Sequence, residues 1–215
     1  MRNVLVGALV VVMIGIGAFA FVTIWQKQKD MKSKMFKEQD ERNQAKETYL
    51  NQVDALMSEF EPASEVAVKQ CETIETVWKN VINKKNDPAT DPFTKDENGQ
   101  FYENYADALA KLQEDPEFAA RQKLLEAKEA LLKQKYEAIT ECPADCSVIH
   151  TSLLECCTSF SEFAAYATTN PSGSALLYHS NWSGAKSKFD AAVSMSRFSA
   201  ENVRKMISFS EKAFK

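Results

Sequence analysis

Four of the five cysteines stand close together, Cys142, Cys146, Cys156 and Cys157, with Cys71 apart. His150 follows Cys146 by four positions, so the two share a helix face, and Cys142 precedes them by one turn. Two such ligands can share a metal, with Cys71 or Cys157 completing a tetrahedron. The same pair, with the Cys146 thiol exposed beside His150, would be a nucleophile and its base. Against both stands the company that Cys146 keeps. It falls on a stripe with Ile149 and Leu153, where a thiol packs as a small hydrophobe, as do Cys71 and Cys156 on theirs. A structural zinc site repeats its cysteine pair or adds paired histidines, and no second paired-ligand motif occurs. Cys146 and Cys156 lie about 15 Å apart along one helix, too far for a disulfide. A bond from Cys71 to the cluster requires neighbouring helices and an oxidising compartment.

Asp87, Asp91, Asp96, Glu97 and Asn98 fall in one polar stretch that suggests calcium. Set against the EF-hand pattern, Gly99 puts Thr94 at the first ligand position and Tyr105 at the last, where an acid is required. The match fails, and turn chemistry accounts for these residues. The only histidines are His150 and His179. There is no G-x-S-x-G, P-loop, G-x-G-x-x-G or H-E-x-x-H. Trp78 and Trp182 lie on apolar stripes and read as core anchors. No catalytic, cofactor-binding or metal-ligating residue is assigned. An enzyme or metal-binding protein using Cys142, Cys146, His150 and Cys157 is kept as an alternative.

The elements that must position these residues are helices. The chain has 215 residues, room for one domain and an anchor, and is 45% hydrophobic and 26% charged. Six glycines and six prolines are too few for a β-sandwich, which needs frequent turns. A net charge of −4 gives no support for a nucleic-acid partner.

Residues 4–25, opening at Val4 and closing at Trp25, carry no charge. As a helix they would span about 33 Å, enough for a hydrocarbon core, with Trp25 at the interface. Ala18-Phe19-Ala20 resembles a cleavage site, but the apolar run is long for a signal peptide and continues past it. The expectation is an uncleaved membrane anchor over residues 1–25. Residues 26–46 are almost wholly polar, with Glu38 and Arg42 an i,i+4 pair, and read as a charged helical stalk or linker. Lys27, Lys29, Lys32, Lys34 and Lys37 outnumber Arg2 and favour a cytoplasmic C-terminal side.

Residues 47–215 read as the folded domain. Tyr49, Val53, Leu56 and Phe60 mark one helix face, and Ala67, Cys71, Ile74, Trp78 and Val81 another. Pro62 interrupts or restarts the helix between them, unless the two form one kinked rod. Positions 84–100 form the longest loop. Phe101, Tyr105, Leu109 and Leu112 mark a short helix, and Asp115-Pro116 starts another that carries Phe118, Leu125, Leu132, Tyr136 and Ile139. After Cys142-Pro143, the cleanest stripe runs Cys146, Ile149, Leu153, Cys156, Phe160, Phe163 and Ala167. Asn170-Pro171-Ser172-Gly173-Ser174 is a tight connection with Ser174 as N-cap. The last helix carries Tyr178, Trp182, Ala185, Phe189 and Ala192, with a restart near Ser199 before Val203, Met206 and Ile207. The fold class is all-α, an antiparallel bundle of about five helices behind the anchor and stalk.

Val77-Trp78-Lys79-Asn80-Val81-Ile82, the loop Asp87-Pro88-Ala89-Thr90-Asp91-Pro92-Phe93-Thr94-Lys95, then Asn98-Gly99-Gln100-Phe101 and Asn170-Pro171-Ser172-Gly173-Ser174 follow in that order. Together they resemble a family of small all-helical proteins of Gram-positive bacteria and their phages, which begin with a membrane anchor or a lipoprotein signal. The similarity covers residues 71–193. It implies an anchored helical architecture and no chemistry. Cys142-Pro143 stands where such sequences often carry Pro-Pro, which sets the cysteine cluster outside the family pattern. Lipoprotein relatives imply export of the domain, against the lysine count, and the extracytoplasmic side is the expectation.

The function expected is a membrane-tethered, non-catalytic interaction module with a protein partner, no cofactor and no nucleic acid. A self-associating structural spacer, a homo-oligomer, is the other alternative.

Overall fold

The computed structural model describes residues 2–168 and 177–213, with side chains over residues 21–168 and 177–212. The described residues form six α-helices: α1 (Arg2–Ile82), α2 (Asp91–Thr94), α3 (Tyr105–Gln113), α4 (Pro116–Glu137), α5 (Ser147–Ala164) and α6 (Tyr178–Ala213). No strand accompanies them, only an isolated antiparallel bridge between Lys95 and Phe101. The all-helical expectation holds. Most of the expected anchor, residues 4–20, the cleavage motif at Ala18-Phe19-Ala20, the connection at Asn170 to Ser174 and the N-cap at Ser174 lie outside the described residues or side chains. Among the described residues no helix is long and apolar enough to cross a membrane.

The long first helix corrects the expected break at Pro62, which lies inside α1. Proline lacks the N–H that would bond the carbonyl of Ser58, but Ser58 is exposed, so water can take that carbonyl. Meanwhile Phe60, Ala63 and Ala67 stay buried on one face across the proline. That continuous face, from Tyr49 through Val53, Leu56, Cys71, Ile74 and Trp78 to Val81, holds the helix together where local propensity would end it.

From Phe21 to Arg42 the side chains of α1 are exposed, apart from a partly covered Gln39. Glu38 faces Lys34 at 3.9 Å rather than Arg42, and Lys37 faces Glu41 at the same distance. Burial begins at Asn43, whose Nδ2 donates to Ser210 Oγ of α6 at 3.0 Å.

Helix α4 runs antiparallel to α1. Near its start, buried Gln70 donates to the Phe118 carbonyl at 3.3 Å and accepts from Arg121 Nε at 2.8 Å. Near its end, Lys135 Nζ meets Glu59 at 2.6 Å. Asp115 caps α4, accepting from Phe118 N at 2.7 Å with Pro116 at the first turn, as its sequence requires. Phe101 lies before α3, which Asn104 caps by accepting from Ala106 N. The loop at 84–100 holds the one-turn helix α2 and a turn at Gly99, whose φ of 76° is the left-handed region open to glycine.

After a short 3₁₀ turn (Ala144–Cys146), α5 buries Ile149, Leu153, Cys156, Phe160 and Phe163. Ser152 and Ser159 on α5, and Ala192, Ser196 and Ala200 on α6, are also buried. Small residues there let the two backbones approach closely, with Lys188 and Glu162 paired at 2.7 Å alongside. This packing corrects the expected restart near Ser199, because α6 runs unbroken from Tyr178 to Ala213. It also corrects Met206, which is 52% exposed, whereas Val203 and Ile207 are in the core. The centre of the bundle is aromatic. Phe60, Phe160 and Phe189 meet at 5.4–6.1 Å between ring centroids, and Phe163 stacks between Phe189 and Trp182.

Candidate functional site

The turn that joins α4 to α5 brings part of the cysteine cluster together. His150 Nε2 lies 3.3 Å from Tyr136 Oη, and the two rings stack at 5.3 Å, with the Tyr49 ring of α1 at 6.5 Å. The Cys142 thiol neighbours the Tyr49 hydroxyl and donates to the Pro143 carbonyl at 3.5 Å. An open groove of about 670 Å³ between the first helix and this turn is lined by Thr48, Tyr49, Gln52, Thr140 and Cys142. Cys146 is fully buried, and Cys142 and Cys157 are half-buried.

All five thiols are free. Burial pushes Cys146 up to about 11, helped by its neighbour Cys142, and pushes Cys157 up to about 11. Cys71 and Cys156 rise to about 12 for the same reason. A thiol with such a value is protonated at neutral pH and is a poor nucleophile and a poor metal ligand. Burial also raises the Tyr136 and Tyr49 hydroxyls. The His150 Nδ1 atom is buried without a hydrogen-bond partner. Among the described residues no three His, Cys, Asp or Glu side chains converge as a metal site would require. The junction is a packed aromatic and thiol knot beside a groove, with half-buried Cys142 on the groove's lining.

The acidic loop spends its carboxylates on itself. Asp87 accepts from Ala89 N at 3.1 Å and from Asn80 Nδ2 at 3.1 Å, and Asn80 also donates to Thr90 Oγ1 at 2.8 Å. Asp91 accepts from Asp87 N at 3.0 Å and from Lys95 at 2.8 Å. The bond from Lys95, then that from the Asp87 backbone, holds the Asp91 carboxyl below its usual range. Asp96 accepts from Asn98 N and Gln100 N at 2.9 and 2.8 Å, closing the turn at Gly99.

A group that sequence reasoning missed is Glu75 on α1. Its carboxylate, only 12% exposed, accepts from His179 Nδ1 at 2.9 Å and from Trp182 Nε1 at 3.0 Å, and pairs with Lys79. Burial alone would raise its pKa, but the bonds from Lys79, His179 and Trp182 outweigh it and leave the carboxyl below the usual range. The sequence signal is its i,i+4 relation to Lys79, which does not reveal partners more than a hundred residues away. Trp78 and Trp182 are 3% and 6% exposed, so the core role expected for both stands. Trp78 packs edge-on against Tyr105 at 4.8 Å and Tyr178 at 5.1 Å.

A second groove, of about 660 Å³, separates α1 from α6 between Glu75 at one end and the Asp54–Arg204 pair at the other. Phe60, Val68, Phe189 and Val193 form its floor, with Glu61 and Arg197 on its rims. Comparison with protein families, with curated proteins and with solved structures finds no match for this chain.

Proposed function

We propose that this chain is a membrane-tethered helical module whose work is interaction rather than catalysis. The observation that carries the reading is the continuity of α1. One helix of 81 residues contains the uncharged stretch at 4–25, then an exposed charged stretch, then the spine of the bundle. At 1.5 Å per residue, the eighteen positions from Trp25 to Asn43 hold the bundle roughly 27 Å from the end of the apolar stretch. Phe21, Val22, Ile24 and Trp25 are all more than half exposed, as lipid-facing side chains would be without their bilayer. The protonated thiols of buried Cys146 and half-buried Cys157 favour this reading over an enzyme using Cys142, Cys146, His150 and Cys157. The resemblance to anchored helical proteins of Gram-positive bacteria and their phages supports this reading and favours a bundle outside the cytoplasm.

The test is extraction. The full chain should stay with membranes in alkaline carbonate and leave them in detergent. Replacing Val10 and Ile14 by lysine should release it. Release of the unaltered chain by carbonate would defeat the tether.

A further inference from the structure

The outer face of α6 carries apolar residues that the bundle does not cover. Met195, Phe198, Met206 and Phe209 are 55%, 60%, 52% and 71% exposed. With the half-buried Asn202 they recur at intervals of 3, 4, 4 and 3 along one face of α6, about a third of the way round the helix from the buried row of Ala192, Ser196, Ala200, Val203 and Ile207. The intervals read the same in both directions about Asn202. An isologous two-fold contact needs such a self-complementary patch.

We propose that this face binds a second copy of the chain, with the two α6 helices antiparallel and the two-fold axis passing at Asn202. Met195 of one copy is then level with Phe209 of the other, and Phe198 with Met206. The two Asn202 amides meet at the axis, where each can donate to and accept from the other. Glu201 and Lys205 are exposed along one edge of the same stripe. An antiparallel two-fold sets like edges side by side, so Glu201 of each copy comes within about 3 Å of axial rise of Lys205 of the other. A parallel pair would offset these edges and lose both ion pairs. Val148, 64% exposed, lies on α5 level with Asn202, reckoned from the Lys188–Glu162 pair, and extends the patch at the axis.

The apolar area supplies the centre of an interface, and the polar rim must supply the rest. The exposed parts of these side chains amount to on the order of 500 Å², at the upper end for a patch on a monomer. A standard interface needs roughly 800 Å² per partner, with an apolar centre and a polar rim such as Glu201 and Lys205 would supply. Lipid is a poor occupant, because Ser210, beside Phe209, is bonded to Asn43, about 27 Å along α1 from Trp25. Since α1 is antiparallel to α6, the two N-terminal helices leave the pair at opposite ends, so the pair joins copies tethered in two facing bilayers rather than neighbours in one.

The proposal gives the interaction module a partner and rests on that reading only for its biological consequence. Dimerisation is scored whether or not residues 4–25 enter a bilayer. The experiment is light scattering and sedimentation of the full chain in detergent. The unaltered chain should be a dimer. Phe198→Asp and Phe209→Asp should each weaken it about tenfold or more with unchanged circular dichroism. Glu201→Lys should weaken it, and Glu201→Lys with Lys205→Glu should restore it. A monomeric unaltered chain would leave the face to another occupant and overturn the proposal. So would a dimer indifferent to Phe198→Asp, which the N-terminal helix alone would hold, or a charge exchange that fails to restore pairing.

Discussion

Glu75 ties the top of α1 to the start of α6 through one carboxylate, and its chemistry sets a pH dependence. Its pKa in the folded protein is depressed, so its bonds contribute fully above the unfolded carboxylate value of about 4.3. That contribution is lost as pH falls through the lower folded value. Glu75→Gln should cost about 1.5–3 kcal/mol at pH 7, because hydrogen bonds to a buried charge are the strong kind. Urea unfolding at pH 7 and again below pH 4 checks this, and the gap between the two proteins should shrink in acid. A gap that widened in acid would show the carboxylate to be stabilised in the wrong protonation state. Trp78 provides a separate test. Trp78→Ala should cost about 3–5 kcal/mol by removing a buried ring held between Tyr105 and Tyr178. Trp78→Phe should cost less than that, since the Trp78 indole N–H is buried with no acceptor and its loss leaves no partner stranded. Equal losses from the two replacements would mean that the N–H has a partner. Trp78 was legible from its stripe; Glu75 was not, because pattern reports which face is apolar and is silent on which charge that face will enclose.

Helices were legible wherever one apolar row repeated without interruption. Cys146 through Ala167 is the clearest instance, and every residue of that row is buried. The sequence misled at Pro62 and at Ser199, in each case by overrating a local signal against packing. Residues on both sides of Pro62 face the same core, and Ser199 is followed by Ala200, which fits the close crossing with α5. The proline nevertheless carries its intrinsic cost. Pro62→Ala restores a donor for the Ser58 carbonyl and removes the ring, so it should stabilise the domain by about 1–3 kcal/mol. Guanidinium unfolding reads the gain directly. A loss instead would mean that a bend at Pro62 is needed to seat Phe60 and Ala63 in the core. On α5, Phe160 meets Phe60, Phe163 and Phe189, and Phe160→Ala should cost about 3–5 kcal/mol in the same assay. A cost under about 0.5 kcal/mol would place that ring outside the core.

At the scale of the molecule, a helix continuous from Arg2 to Ile82 makes the orientation of the proposed tether a single choice, since whatever side residue 26 takes, the bundle takes too. Two influences oppose each other there. Five lysines between positions 27 and 37 favour the cytoplasm, where juxtamembrane positive charge is retained. Lys34 and Lys37, however, face Glu38 and Glu41 across one helical turn, and such pairing reduces the field that the lysines present near the membrane. The proposed reading takes the extracytoplasmic side. With the half-buried Cys142 replaced by serine, the remaining native thiols make a quiet background for testing it. Cys71, Cys146 and Cys156 are buried, and Cys157, pushed up to about 11, reacts slowly at neutral pH. Ala110 is exposed in the middle of α3, away from both grooves and from the outer face of α6, so Ala110→Cys adds a reactive thiol at little cost to the fold. A membrane-impermeant maleimide applied to intact cells should label Ala110→Cys well above the Cys142→Ser chain without it. Labelling that appears only after lysis would place the bundle in the cytoplasm and make the lysines the deciding charge.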